Sequence, residues 1–396
     1  MPWQEQSQMS LRHEFVILAD TDGANIRALC RHYGISPTTG YTWLARYRAA
    51  GVAGLADRSR RPHTSPNQTD PAIEAEVVAL RDAHPAWGSR KLGTVLARQD
   101  RPEPQPSASP PTPTPTPSTI TRILHRHGRI DPAEAGKHTA WQRFEHEQPN
   151  CLWQMDFKGH VAMGARRCHP LAILDDHSRF LVGLFACANE QEVTVKAHLT
   201  SLFRRYGLPR HVLTDNGAPW GVPQAPERLT TLGVWLLRLG IEPWHGRIRH
   251  PQTQGKVERF NRTFKAELCQ PNRFDDLVAS QAGFDAWRDT YNLIRPHAAL
   301  ALAVPASRYQ PSPRPFPEVL PPIEYGPDDL VRMVHGSGQV RYRNRDWYVG
   351  QALLRQPVAL RPTTEDGVLD VVYCHVTIRQ LDLRQPPADA VDSEAM

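Results

Sequence analysis

Three carboxylates that stand in three different local settings constrain the fold of this chain more than any other feature. Asp156 lies within the alternating run 153–157, a pattern typical of a half-buried β-strand. Asp215 begins the turn that follows a short apolar strand, 210–213. Glu258 lies near the start of a helical pattern. Acids within a strand, at a strand tip and on a helix predict an α/β domain with a site at the carboxyl ends of its strands.

The segment that carries Glu258 has the pattern of an amphipathic helix. Its apolar residues recur at spacings of 3, 4 and 4 positions and form one stripe: Val257, Phe260, Phe264 and Leu268. On a neighbouring face, Glu258, Arg262 and Lys265 follow one another at i, i+4 and i+7. This helix can therefore anchor its stripe on a sheet while it presents one acid and two cations.

Carboxylate oxygens from separate elements are suitable ligands for hard divalent cations. Such cations serve phosphodiester chemistry when several carboxylates converge on them. Asp156, Asp215 and Glu258 are therefore candidate metal ligands. Asp175 and Asp176 are rival candidates, but they follow an apolar run and have the pattern of turn residues, so we interpret them as structural.

At these positions the chain resembles the DDE-type insertion-sequence transposases, whose catalytic core is of the retroviral-integrase type. Five fragments carry the resemblance in the order in which the family has them: 153–156, 175–179, 213–217, 250–265 and 291–309. The resemblance implies that residues 151–310 form an RNase H-like α/β catalytic core, a mixed sheet with flanking helices. It also implies that Asp156, Asp215 and Glu258 are catalytic and hold two Mg²⁺ or Mn²⁺ ions.

The activity implied by the resemblance is metal-dependent cleavage at the ends of an insertion sequence, followed by strand transfer, a transesterification. The enzyme would be a transposase, a polynucleotidyl transferase that acts on double-stranded DNA: the terminal inverted repeats and the target. Lys265 would contact DNA, and we predict further DNA contacts from three neighbouring cations: Arg262, Lys256 and Arg259. Because both element ends must be joined together, we expect a homodimer or higher oligomer on DNA.

One spacing departs from the pattern of the family. Asp215 and Glu258 are 43 positions apart, which is longer than the usual gap, and the extra length lies around 221–231. A surface loop tolerates added length at a small entropic cost. We therefore expect an enlarged loop near the site with intact ligands on both sides of it.

The N-terminal residues 1–66 have the pattern of an α-helical helix-turn-helix domain. Helices are predicted over 11–20, 25–33 and 38–48, and Ser36 is suited to cap the third one. In such a domain the last helix enters a DNA groove. Its predicted contacts are Thr38, Thr39, Thr42, Arg46 and Arg48. A small helical bundle without a DNA role is the alternative.

The rest of the chain divides by composition. Residues 67–130 resemble a second helix-turn-helix unit, interrupted by a Pro/Thr-rich spacer at 101–117 whose eight prolines exclude helix. Residues 131–150 are interpreted as a linker. Short β runs between turn signals predict a small β-barrel-like domain over 328–384. The tail, 385–396, is predicted to be disordered.

The overall composition agrees with a polyanionic partner. The net charge is +6 and the isoelectric point is near 9.1. The six cysteines show no zinc spacing, and no apolar run is long enough for a membrane span or a signal peptide. We therefore expect no membrane partner and a location in the bacterial cytoplasm, nucleoid-associated when the protein is bound to DNA.

Two other functions are open at this point. The first is a catalytically inactive DNA-binding regulator that antagonises transposition, which the intact triad argues against. The second is a relaxed structure-specific nuclease, which the DNA-binding domains at both ends argue against. Four polar residues beside the acids are weaker candidates for substrate contacts: Asn216, His245, His250 and Gln254.

Overall fold

The computed structural model of the protein describes residues 8–58, 68–98, 114–130, 145–163, 166–221, 229–245 and 255–385. The chain divides into two compact units, Met1–Gln68 and Thr69–Met396. Several predictions lie wholly or partly outside the described residues: the spacer 101–117, the linker 131–150, the loop 221–231, the tail 385–396, His250 and Gln254. None of the helices in the described ranges is long and apolar enough to cross a membrane.

The N-terminal unit contains the three helices that the sequence predicts. They are α1 Gln8–Ala19, α2 Ile26–His32 and α3 Pro37–Ala50. Ser36 caps α3, because its hydroxyl accepts a hydrogen bond from the backbone N–H of Thr39 at 3.1 Å. Gly40 allows α3 to lie against α2, since a Cβ at this position would collide with the Cys30 sulfur. The buried side chains of this unit are Phe15, Val16, Ala19, Cys30, Leu44 and Leu55.

A second group of three helices belongs to the larger unit. These are α4 Pro71–Ala83, α5 Ser89–Arg98 and α6 Pro117–Arg126. Pro117, which the sequence assigns to the spacer, is instead the first residue of α6, where proline is favoured. The Arg98 guanidinium donates to the Leu302 carbonyl at 2.8 Å, so α5 is hydrogen-bonded to the C-terminal part of the range 151–310.

The core of the larger unit is a mixed β-sheet, as predicted. Its strands are β1 Leu152–Phe157, β2 Val161–Met163, β3 Arg166–Asp175, β4 Leu181–Cys187, β5 His211–Thr214 and β6 Glu242–His245. β3 pairs antiparallel with β1, β2 and β4, whereas β5 runs parallel to both β1 and β6. The switch from antiparallel to parallel pairing occurs at β1, the strand that carries Asp156.

Helices cover both faces of this sheet. They are α7 Glu192–Tyr206, α8 Thr231–Arg238, α9 Gly255–Phe264 and α10 Leu277–Asp289. Alternation along β3 sends Leu171 and Ile173 to the face that α7 and α8 cover, and Ala172 and Leu174 to the face that α9 and α10 cover. The helix that carries Glu258 is therefore packed directly on the sheet that carries Asp156.

An extended segment after α10 continues the packing of the core beyond the predicted boundary at residue 310. Tyr309, Phe316 and Leu320 lie against the apolar cluster under α7 and α8. The Arg314 guanidinium donates to the carbonyls of Pro209, Leu239 and Gly240 at 2.8, 3.0 and 2.7 Å. We call residues 309–320 the strap.

The C-terminal residues form the expected small β domain. Its strands are β7 Leu330–Met333, β8 Gln339–Tyr342, β9 Arg345–Tyr348, β10 Pro357–Pro362, β11 Val368–Tyr373 and β12 Val376–Asp382. They form an antiparallel sheet in the order β12-β11-β10-β7 and a β8-β9 hairpin. Val234 and Leu237 of α8 join the same apolar cluster as Val358 and Tyr373. This domain therefore shares its core with a helix of the catalytic domain.

Candidate active site

Asp156 and Asp215 are brought together by two neighbouring parallel strands. Gln154 of β1 lies opposite Leu213 of β5. The same register continued by two residues places Asp156 beside Asp215, and adjacent strands lie about 4.8 Å apart. Asp215 is exposed in the turn after β5, where its carboxylate accepts a hydrogen bond from the Gly217 N–H at 3.0 Å.

The Asp156 carboxyl is half-buried and has a raised pKa. Burial is the largest cause, because it removes water from the charged form, and the negative charge of Asp215 acts in the same direction. A hydrogen bond from Asn261 opposes both effects. The resulting pKa is about 6, compared with an ordinary value of 3.8. Two carboxylates that repel each other in this way form a favourable environment for a cation.

Glu258 is exposed in the first turn of α9. One turn further along the helix, the Asn261 side-chain N–H donates to the Asp156 carboxylate at 2.8 Å. The helix that carries the third acid is thus hydrogen-bonded to the first acid. Within the described part of the chain, however, no three or more His, Cys, Asp or Glu side chains form a group that could hold a metal ion. The three carboxylates accordingly do not form a single cluster in this structure.

Asn261 was not predicted as a site residue from the sequence, although it is hydrogen-bonded to Asp156. Its side-chain oxygen is buried and accepts no hydrogen bond from the described residues, while its nitrogen is bonded to Asp156. The signal that points to it is helical spacing, since position 261 is one turn after Glu258 and polar within an amphipathic pattern.

The cations predicted to contact DNA fall into two groups. Arg259, Arg262 and Lys265 are exposed along α9 and the π-helical turn that continues it, Lys265–Cys269. Lys256 is different, because its ammonium lies 2.5 Å from the buried Asp176 carboxylate. Burial lowers the pKa of Lys256 to about 8, with the nearby Arg179 acting in the same direction. Its role as a DNA contact stays a prediction.

Asp175 and Asp176 occupy the buried turn between β3 and β4. The Asp175 carboxylate accepts hydrogen bonds from the Asn150 N–H at 2.7 Å and from the Ser178 N–H and hydroxyl at 2.8 and 2.5 Å. The Asp176 carboxylate accepts one from the Gln154 side chain at 2.7 Å. These contacts within the protein support the structural interpretation of both residues.

Hydrogen bonds connect the residues around Asp215, and also the residues on the two sides of 222–228, the segment where the sequence predicts added length. The His245 ring nitrogen lies 3.3 Å from the Thr214 hydroxyl and 3.2 Å from the Asp215 carbonyl, so His245 borders the second acid. On the far side, the Thr230 hydroxyl donates to the Trp220 carbonyl at 3.2 Å. Trp220 and Thr230, on the two sides of residues 222–228, are thus hydrogen-bonded to each other.

The predicted DNA-reading residues of the N-terminal unit lie on the outer face of α3. Thr38, Thr39 and Thr42 are exposed. The Arg46 guanidinium lies over the Trp43 ring, 4.9 Å from its centroid. The Arg48 guanidinium forms a 2.7 Å ion pair with Asp20.

The donor set fits a hard divalent cation. Asp156, Asp215 and Glu258 supply carboxylate oxygens from three elements, which is the ligand type that Mg²⁺ and Mn²⁺ prefer. None of the three forms an ion pair with a Lys, Arg or His among the described residues. Within the described residues, no ion pair therefore neutralises their charges.

Comparisons with protein families match the chain segment by segment. Residues 12–63 match a helix-turn-helix domain, and residues 39–124 match a homeodomain-like domain. Residues 146–251 and 239–305 match an integrase core domain. Residues 329–389 match the C-terminal domain of IS481 family transposases, the range that contains β7 to β12.

Two proteins of bacterial insertion elements are similar over about two thirds of the chain. An uncharacterized 39.2 kDa protein of IS476 from Xanthomonas euvesicatoria is 27% identical over 266 residues, which are 67% of this chain and 72% of the relative. An uncharacterized 31.7 kDa protein of IS407 from Burkholderia multivorans is 24% identical over 263 residues, which are 66% and 90%.

Among solved structures, a chain of the simian T-cell lymphotropic virus intasome bound to PP2A regulatory subunit B56 gamma is 17% identical. The match covers 66% of this chain and 89% of that chain, with a TM-score of 0.36. The family matches and the insertion-element relatives confirm the resemblance that the sequence motifs carry. Together, the helix-turn-helix, integrase core and IS481-type C-terminal domains and the two insertion-element relatives support an insertion-sequence transposase with an integrase-type catalytic core and an N-terminal helix-turn-helix domain.

Proposed function

We propose that this transposase cuts the ends of its insertion sequence and joins them to target DNA by metal-dependent transesterification. Asp156, Asp215 and Glu258 are its catalytic carboxylates. The observation that carries the proposal is the parallel register of β1 and β5, which brings Asp156 close to Asp215, together with the hydrogen bond from Asn261, on the helix of Glu258, to Asp156.

The three carboxylates would hold two Mg²⁺ or Mn²⁺ ions. Such ions, when bound, assist the attacking oxygen and stabilise the leaving oxygen of an in-line displacement. Asp156 must be ionised to act as a ligand, and Asn261 favours that form because it donates a hydrogen bond to the carboxylate. Asn261 also fixes the orientation of the Asp156 carboxylate relative to α9.

DNA is the partner of the helix-turn-helix and integrase domains. We propose that Arg259, Arg262 and Lys265 contact its phosphates beside the active site, since they share the exposed side of the helix with Glu258. Selection of the terminal repeats then belongs to α3, through Thr38, Thr39, Thr42, Arg46 and Arg48. Affinity that depends on phosphate contacts falls steeply as salt is raised.

Two further parts of the proposal follow from the reaction. Both ends of an element have to be held at once, so the protein acts as a dimer or higher oligomer on DNA. Its substrate is chromosomal or plasmid DNA, which places its action in the bacterial cytoplasm.

A strand-transfer assay tests the proposal. Purified protein is incubated with a duplex of the element's terminal repeat and a plasmid target, with Mg²⁺, with Mn²⁺ or with EDTA. Joining should require a divalent cation, and alanine at Asp156, Asp215 or Glu258 should abolish it while repeat binding persists. Exposed Asp275→Asn is a matched control that should retain activity. Joining by any of the three alanine variants would remove that residue from the site, and a wild-type protein that binds the repeats without joining them would be a regulator.

A further inference from the structure

The buried carboxylate of Asp176 connects the two elements that carry the first and third catalytic acids. Asp176 is 1% exposed and lies in the turn after β3. Its carboxylate accepts a 2.7 Å hydrogen bond from the Gln154 side chain on β1. The same oxygen lies 2.5 Å from the Lys256 ammonium on α9. β1 and α9 therefore meet at a single buried oxygen atom.

The turn that holds Asp176 is itself fixed to β1. The Asp176 N–H donates to the Leu152 carbonyl at 2.9 Å. The second carboxylate oxygen accepts the backbone N–H of His146 at 3.0 Å. Lys256 makes a second contact, because its ammonium also donates to the Asp176 carbonyl at 3.2 Å. Asp176 therefore does not move relative to β1 without breaking several hydrogen bonds.

The two side chains that contact the Asp176 carboxylate occupy equivalent positions relative to the catalytic acids. Gln154 is two residues before Asp156, and Lys256 is two residues before Glu258. On the other side of Glu258, Asn261 is hydrogen-bonded to Asp156. Glu258 thus lies between two polar contacts that both lead to β1.

These polar contacts restrain α9 along its own axis, which the apolar stripe of the helix does not do. Val257, Phe260 and Phe264 are buried against the sheet, but apolar contacts are non-directional and tolerate small shifts along the helix axis. A charge-assisted hydrogen bond has a defined length and direction. The contact with Asp176 therefore restrains the first turn of α9 along the helix axis.

We propose that the two hydrogen bonds that the Asp176 carboxylate accepts, one from Lys256 and one from Gln154, position Glu258 for metal binding; we call this arrangement the Asp176 clamp. This inference rests on the proposed function, because it assigns Lys256 to the geometry of the same site. Lys256 acts through Glu258, so it is a positioning residue and does not touch the DNA.

The test compares variants at the two ends of one helix. Lys256→Met breaks the Asp176 clamp. Glu267→Gln is the matched control, since Glu267 forms a buried 2.9 Å ion pair with Arg295 beyond the other end of α9. Both changes leave one buried charge without its partner, so both should lower the unfolding temperature. Only Lys256→Met should disturb Glu258.

The main readout is Mn²⁺ binding, measured without DNA from the electron paramagnetic resonance signal of free Mn²⁺. Residues that orient a metal ligand change metal affinity by about 10-fold to 100-fold when they are removed. We expect Lys256→Met to weaken Mn²⁺ binding and slow strand transfer by this order, with terminal-repeat affinity unchanged. Glu267→Gln should keep the wild-type Mn²⁺ affinity. Lys256→Arg, which keeps the charge, should recover part of the loss.

The Mn²⁺ affinity and the terminal-repeat affinity together distinguish the other possible roles of Lys256. If Lys256→Met resembles Glu267→Gln in Mn²⁺ affinity, the clamp has only a structural role and the inference is wrong. If it lowers repeat affinity instead, Lys256 is a DNA contact. Should Lys256→Met not fold, Lys256→Arg and Asp176→Asn give the same comparison with the charge or the size retained. If the wild-type protein neither binds Mn²⁺ nor joins DNA, the proposed function itself fails; if it does both, only the clamp is in question.

Discussion

At the scale of single residues, the site is characterised by a carboxylate that the fold does not neutralise. The pKa of Asp156 is raised because burial and the charge of Asp215 outweigh the hydrogen bond from Asn261 and the charge of Lys158. A protein selected for stability alone would place a neutral residue here. The uncompensated charge is what a cation-binding site requires, and its consequences can be measured.

The first prediction concerns the stability of Asp156→Asn. The folded-state pKa of Asp156, about 6, is above its ordinary value of 3.8. Above pH 6 the carboxyl is ionised in both states, and its burial therefore destabilises the fold. Between pH 6 and pH 4 the folded protein takes up a proton that the unfolded chain does not, so this penalty disappears as pH falls. With EDTA present, Asp156→Asn should raise the free energy of unfolding by about 2 kcal/mol at pH 8, and by less at pH 5.

Denaturant unfolding at the two pH values checks this prediction. Asp275→Asn, at an exposed position, should leave the stability and its pH dependence unchanged. An Asp156→Asn variant less stable than the wild type at pH 8 would show that the carboxylate is compensated in the fold.

The second prediction follows from the same ionisation. A divalent cation competes with the proton for Asp156, so Mn²⁺ affinity should fall as pH drops through about 6, the raised pKa. Removal of the Asn261 donor raises the pKa further, because that hydrogen bond stabilises the ionised form. The midpoint of Mn²⁺ binding should therefore move to higher pH in Asn261→Leu. An unchanged midpoint would exclude Asn261 as a partner of Asp156 in solution.

The sequence predicts the three acids as ligands, but it does not predict the residues that we propose to position them. Asp156, Asp215 and Glu258 are recognisable because each stands in a local pattern. The contact between Asp176 and Lys256 joins residues 80 positions apart; the sequence predicts a turn residue at the first and a DNA contact at the second, and nothing in it links the two. Only the fold shows that Lys256 points to the interior, whereas Arg262 and Lys265 on the same helix are exposed.

At the scale of elements, local signals predicted most of the secondary structure. α3 begins at Pro37 behind the Ser36 cap, and α6 begins at Pro117 behind a Thr116 cap. Both starts depend on neighbouring residues: the sequence predicted the Ser36 cap, and it predicted the second helix from residue 118 without its Thr116 cap. β6 escaped prediction, because Glu242–His245 contains a proline and has no apolar alternation. The strand tolerates this proline because β6 lies at the edge of the sheet. One side of the backbone of an edge strand has no neighbouring strand, so a missing N–H there breaks no hydrogen bond.

The third prediction concerns the cap of the DNA-reading helix. Ser36→Ala removes the acceptor for the Thr39 N–H and should destabilise α3 by about 1 kcal/mol. Hydrogen exchange of the α3 amides in the full chain should become faster, while the amides of β1 to β6 stay protected. Ser36→Asp, which keeps an acceptor, should restore protection. Equal protection in Ser36→Ala and wild type would mean that the cap contributes little.

At the scale of the whole molecule, the larger unit is less modular than its sequence suggests. The β domain, which composition marks as separate, shares an apolar cluster with α8, and the strap extends the core past residue 310. Neither contact could be predicted from the sequence. The apolar residues of these helices are already explained by their packing on the catalytic sheet, so they give no sign of a second partner. Val234 and Leu237 look like ordinary core residues of α8 in the sequence.

The fourth prediction tests the strap. Arg314→Met leaves three carbonyls without their donor and should destabilise the larger unit by about 3 kcal/mol. Arg204→Met breaks an exposed ion pair between α7 and Glu318 in the same strap, and should lower stability much less than Arg314→Met, because water screens an exposed pair. Thermal unfolding of the two variants gives the comparison. Similar losses would show that the strap is held only at its surface.

The fifth prediction concerns the β domain. Removal of residues 329–396 exposes Val234 and Leu237, so the shortened protein should bind a hydrophobic dye and aggregate. Removal of 386–396 alone leaves that cluster intact and should have no such effect. A stable, monodisperse protein after the longer deletion would mean that the β domain is an independent module.

The central claim is that Asp156, Asp215 and Glu258 act on shared divalent cations. The most direct measurement is anomalous scattering from Mn²⁺ in crystals of the transposase bound to a terminal-repeat duplex. If the three carboxylates share the cations, anomalous peaks should lie within coordination distance, about 2.0–2.3 Å, of oxygens from all three of them. Manganese bound elsewhere, or a Glu258 carboxylate that stays apart from the Asp156–Asp215 pair with DNA and metal present, would contradict it.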